Sequence, residues 1–134
     1  MTALADIEGI GPAYRDKLEA GGIGSVEQLL EAGASPTGRE QLCEHCGISH
    51  NLLLEWVNHA DLYRVHGIGS EYADLLEEAG VDSVPELAQR NAENLCAKMA
   101  EINESKRLVR QMPSEATVQQ WVAEAQSLPR VVTH

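Results

Sequence analysis

Phenylalanine is absent from this chain, and two tryptophans and three tyrosines are its only aromatic residues. The core must therefore be filled with Leu, Ile, Val and Ala, and each aromatic ring becomes a large piece with specific neighbours. Cysteine is scarce as well. Cys43, Cys46 and Cys96 are an odd number, which argues against the disulfide framework of a small secreted domain. No apolar run approaches the roughly 20 residues of a membrane span. The start, Met1-Thr2-Ala3-Leu4-Ala5-Asp6, has no basic n-region, so no secretory leader is expected. Positive charge is in short supply: Lys and Arg total 10 against 21 Asp and Glu, for a net charge of −11. A field of that sign repels polyanions. These absences lead us to expect a cytoplasmic protein with no membrane partner. Residues 98–134 alone carry a net +1, through Lys98, Lys106, Arg107, Arg110 and Arg130.

What is present is a repeat. Ile7-Glu8-Gly9-Ile10-Gly11 returns as Val65-His66-Gly67-Ile68-Gly69, and 11 of the 23 positions from Ile7 to Leu29 are identical to Val65 to Leu87. Strand signals are nearly missing, whereas helix punctuation is dense. Pro12 suits the first position of a helix, which Gly21-Gly22 would stop. Ser25 caps a short second helix. Gly33 to Gly38 reads as a loop, and a third helix is expected from Arg39 to Cys46. Ser49 opens a fourth, with Leu52, Leu53, Trp56, Val57 and Ala60 in one stripe.

The second half repeats this plan, with caps at Ser83, Asn91 and Ser114 and a tail from Leu128. The spacing predicts helix again from Glu104 to Gln111. The expected fold is all-α, with tandem lobes over 1–63 and 64–134 (the latter with the tail) related by an approximate two-fold internal repeat. About 8–10 short helices are expected, and the lobes could share one compact domain.

Gly-Ile-Gly between helices resembles the helix-hairpin-helix motif, which in DNA repair and replication proteins grips the phosphates of one strand without reading sequence. Glycines permit the tight turn, and the hairpin N–H groups with those at the next helix start can hold an anion. The anion candidates are Gly9, Ile10, Gly11, Arg15 and Lys17 in the first copy and Gly67 and Gly69 in the second. The copies differ. Arg15 and Lys17 stand among Glu8, Asp16 and Glu19, whereas no Lys or Arg lies between Gly69 and Val81, where Glu71, Asp74, Glu77 and Glu78 stand. Any phosphate grip belongs to the first copy.

Nearly end to end, the chain resembles a bacterial family known as domain of unknown function 4332, built from paired helix-hairpin-helix units. The resemblance rests on Ile7 to Pro12, Leu52 to Asn58, Gly67 to Glu77, Glu86 to Asn91 and Leu128 to Thr133. It implies a fold and no activity.

Other chemistry is thin. Cys43, Cys46 and His50 give C-x2-C-x3-H, an incomplete zinc set, since zinc takes four ligands. Aligning Leu42-Cys43 with Leu95-Cys96 sets Cys46 opposite Met99, which favours core packing over ligation. Lys106, Arg107 and Arg110, with Lys98 two turns earlier, form the one basic patch, expected on a shared helix face. No nucleophile–base set, Walker loop or His-Glu-x-x-His is present. The expectation is a non-enzymatic interaction or scaffold module that binds a protein partner and needs no cofactor. Phosphate-backbone binding through the first hairpin and zinc binding are the alternatives.

Overall fold

In the computed structural model of the chain, residues 3–7 and 9–133 are described, and among them there are eight α-helices and no strand. Glu8 and His134, which the hairpin and tail assignments include, lie outside the described residues. A 3-10 turn, Leu4–Asp6, precedes α1 (Pro12–Ala20), α2 (Val26–Gly33), α3 (Pro36–Cys46) and α4 (His50–Leu62). Then follow α5 (Ser70–Glu78), α6 (Val84–Ala88), α7 (Ala92–Lys106) and α8 (Glu115–Ser127). The chain groups into two compact units. One comprises Met1–Asp61 with Val131–His134, and the other Leu62–Arg130. Val131, Val132 and Thr133 therefore belong to the first unit, although sequence continuity assigns them to the second.

Cap chemistry sets most boundaries. The side chains of Ser25, Ser35, Ser83, Asn91 and Ser114 each accept an N–H three residues on. Ser49 does the same for Leu52 at 3.3 Å. Two expectations need correction. The supposed loop at Pro36–Gly38 is the first turn of α3, because Ser35 caps it and Pro36 fits at its start. The supposed helix from Glu104 to Gln111 stops at Lys106. There Arg107 turns left-handed (φ 51°), and the Asn103 side chain holds the loop, accepting from Val109 N–H at 3.0 Å and donating to Val109 O at 3.2 Å.

Each unit has its own core. In the first, Leu18, Leu29, Leu53, Trp56 and Val57 are fully buried. In the second, Leu62, Ala73, Leu75, Leu76, Leu87 and Met99 form one cluster with Val118 and Trp121. A buried Leu contributes about 1.5–3 kcal/mol, so these helices are held by their apolar faces more than by local propensity. The repeat extends three residues further back than the sequence comparison showed, since Leu4 and Leu62 are both buried at matching positions.

Candidate functional site

Both Gly-Ile-Gly turns are built by the same bonds. Ile10 N–H donates to Ile7 O, and Ile68 N–H to Val65 O, each at 3.2 Å. Arg15 N–H reaches Gly11 O, and Ala73 N–H reaches Gly69 O, each at 2.9 Å. Gly9 has φ +93° and Gly67 φ +89°, a region that disfavours any side chain. A tryptophan backs each one. A Cβ on Gly9 would lie 3.3 Å from Trp56 Nε1, and one on Gly67 would lie 3.2 Å from Trp121 Nε1. Tyr14 meets Trp56 edge-on at 5.0 Å, and Tyr72 meets Trp121 at 5.3 Å. Sequence reasoning placed both tryptophans in helical stripes and missed their role behind the hairpins. Their spacing from the glycines carries no motif that would reveal it.

The hairpin helices are also unusual at their starts. α1 and α5 begin after Gly11 and Gly69 with no side-chain cap, whereas six other helices have one. Their first-turn N–H groups lack intrahelical partners by helix geometry. Beyond that the copies diverge. Arg15 and Lys17 are exposed, Arg15 pairing with Asp16 at 3.5 Å and Lys17 lying 5.5 Å above the Tyr14 ring. The matching positions in α5 are Ala73 and Leu75, both fully buried. In the second hairpin, the His66 backbone N–H donates to the Glu124 carboxylate at 3.1 Å, and His66 Nδ1 lies 3.2 Å from the same group. An anion approaching there meets a carboxylate already in place.

The basic residues do not share one helix face. Lys106 ends α7 and pairs with Glu78 at 2.6 Å, Arg107 sits on the helix stop, and Arg110 lies in the loop beyond. The helix they were expected to share is broken by the Asn103 clamp. Lys98 lies instead on a cleft.

That cleft occurs in both units. In the first it has a volume of about 560 Å³ and is lined by Gly21, Ala32, Gly38, Gln41, Leu42, Glu44 and His45. In the second it is about 340 Å³, lined by Ala79, Gln89, Arg90, Asn91, Asn94, Leu95 and Lys98. In the register of Leu42 on Leu95, Gln41 matches Asn94 and His45 matches Lys98. Each cleft thus offers a leucine floor, an amide and a basic group one turn on. Each set lies within about one turn of a single helix, α3 or α7, and that it lines a cleft shows only once that helix is packed against its neighbours.

Cys43 and Cys46 are buried on α3, while His50 is exposed. Among the described residues, these three do not bring ligand atoms within 4.8 Å of one another. Burial raises the Cys43 thiol pKa, with the neighbouring Cys46 adding to it, and burial raises that of Cys46. Both are therefore poor thiolates. A Cβ on Gly21 would stand 2.6 Å from Cys46 Sγ. Gly21→Ala should cost about 1–3 kcal/mol by overpacking, and Cys46→Ala in the same chain should recover most of that loss in a urea titration. Additive losses would show that the contact is not the cause.

The model of the family described as a domain of unknown function (DUF4332) matches residues 8–128. The chain belongs to this family. No curated protein and no solved structure matches it. The matched span includes both hairpins and both clefts, and it stops short of the terminal tail that docks on the first unit. Among the described residues, no helix is long and apolar enough to cross a membrane.

Proposed function

We propose that the chain is a non-enzymatic scaffold module of two helix-hairpin-helix units that binds a protein partner. The observation that carries this reading is the cleft built twice with the same side-chain classes, Gln41, Leu42 and His45 in one unit and Asn94, Leu95 and Lys98 in the other. A leucine beside an amide and a basic side chain suits an apolar side chain flanked by polar groups. Glu124 across the second hairpin and the buried Ala73 and Leu75 support the same reading, because they turn that copy away from polyanions. The test is a photo-crosslinking residue placed at Gln41 or Asn94 of the full chain in native lysate. The expected result is a discrete protein adduct that disappears when Leu42→Glu or Leu95→Glu is added at the same cleft. Nucleic acid copurifying with no protein adduct would sink the proposal.

A second reading is phosphate-backbone binding through the first hairpin. It is favoured by the uncapped start of α1 beside exposed Arg15 and Lys17. That reading requires DNA or RNA affinity that falls steeply with salt and is lost in the Arg15→Glu, Lys17→Glu chain. The scaffold reading expects no such salt-dependent binding.

A further inference from the structure

The cleft of the second unit lacks one kind of side chain. Two cations, Arg90 and Lys98, line it with three carboxamides and two apolar residues, and no carboxylate does. The chain as a whole has 21 acidic residues against 10 Lys and Arg, so this lining runs against its surroundings. The first cleft does include an acid, Glu44, beside His45. In the register of Leu42 on Leu95, Glu44 becomes Ala97 and His45 becomes Lys98. The second cleft thus carries a methyl group in place of an acid and an ammonium in place of an imidazole.

Its cations are placed to receive a ligand. Arg90 is held along one edge. Nε and Nη2 donate to Glu86 Oε1 at 3.1 and 2.9 Å, and Nη2 donates to Gly80 O at 2.9 Å. These bonds fix the guanidinium plane and leave the Nη1 donors without a partner among the described residues. Lys98 is exposed and forms no ion pair among the described residues. Glu93 and Glu101, its acidic neighbours on α7, do not line the cleft. Glu86 offsets the charge of Arg90, so Lys98 supplies the net charge and Nη1 the geometry. Buried Ala79 and Leu95 give the apolar side.

We propose that this cleft takes an acidic segment of the partner, with a carboxylate side chain on Nη1 of Arg90 and Lys98 and an apolar neighbour on Leu95. The proposal rests on the scaffold reading and names the chemistry that one of its two clefts selects. Charge complementarity decides the occupant. One uncompensated positive charge matches a single carboxylate, whereas a phosphoryl group brings about two negative charges and would face Glu86 as well. A volume of about 340 Å³ lies at the small end of ligand sites and suits a short segment. Elsewhere the field of a chain with net charge −11 repels an acidic segment, so the cleft also steers it.

The experiment is a nuclear magnetic resonance titration of the full, nitrogen-labelled chain. The probes are the capped dipeptides acetyl-leucyl-glutamyl amide and acetyl-leucyl-glutaminyl amide, sodium acetate and inorganic phosphate. The acidic dipeptide should move the side-chain signals of Asn94 and leave those of Gln41, in the first cleft, in place. The neutral dipeptide should bind about tenfold more weakly, the loss of one charge-assisted hydrogen bond. Lys98→Glu should weaken the acidic dipeptide at least as much, and Lys98→Arg should bind it like the wild type. No binding of the acidic dipeptide, equal binding of the two dipeptides, or binding unchanged by Lys98→Glu would overturn the proposal. Acetate binding as well as the acidic dipeptide would remove the apolar contact, and phosphate binding more tightly would assign the cleft to a phosphoryl ligand; either overturns it. The scaffold reading fails separately. A protein adduct at Asn94 that survives Lys98→Glu keeps that reading and sinks this one, whereas dipeptide binding as expected with no protein adduct sinks the scaffold reading alone.

Discussion

Trp56→Ala is expected to lower the unfolding free energy by about 3–5 kcal/mol, the usual range for removing a large buried aromatic. Trp56 is completely buried, touches the Tyr14 ring and backs Gly9. Alanine would leave a cavity under the hairpin and release the turn that Gly9 makes. Trp56→Phe should behave differently. Among the described residues the buried indole Nε1–H has no hydrogen-bond partner, which costs about 1–3 kcal/mol of desolvation. Phenylalanine removes that group and keeps most of the ring, so the net change should be about 1 kcal/mol in either direction. Urea titrations followed by circular dichroism separate the two outcomes. A phenylalanine variant as damaged as the alanine one would mean that the N–H is satisfied.

Arg39→Leu is expected to cost about 3 kcal/mol, since hydrogen bonds to charged groups contribute about 1.5–3 kcal/mol each. Leucine retains much of the apolar packing of the stem, so the loss isolates the guanidinium. Gly33 O and Thr133 O lose the donor that Arg39 supplied, and Ala34 O retains only Thr133. The end of α2 and the tail should loosen together, visible as faster amide exchange at Thr133 alongside a lower urea midpoint. A loss below about 1 kcal/mol would mean that water replaces the guanidinium at little cost.

Much of the fold was legible because its signals are local. A Ser or Asn cap acts over three residues, and the positive-φ glycines follow from the turn itself, so helix starts at Val26, Val84, Ala92 and Glu115 could be placed directly. The misplaced helix after Lys106 shows the limit. Its residues have adequate helix propensity, but the Asn103 amide offered the backbone a competing partner at Val109. The shared helix face expected for Lys106, Arg107 and Arg110 fails for the same reason, because a shared face requires an unbroken helix. Cys43 and Cys46 illustrate the opposite case. Comparison with Cys96 and Met99 pointed to core packing, and their burial agrees.

By itself the sequence determined the duplication, the helical class, the Gly-Ile-Gly turns and the acidic balance, since each depends on composition or on residues within a turn of one another. Only the tertiary structure decided what the two copies became. The positions of Arg15 and Lys17 pass into the core as Ala73 and Leu75, and Glu124 reaches the second hairpin from 58 residues away. The cleft appears twice, and the chain end returns to Arg39 across 94 positions. Those outcomes depend on which faces are buried together, and burial is a property of the packed chain that no local pattern encodes.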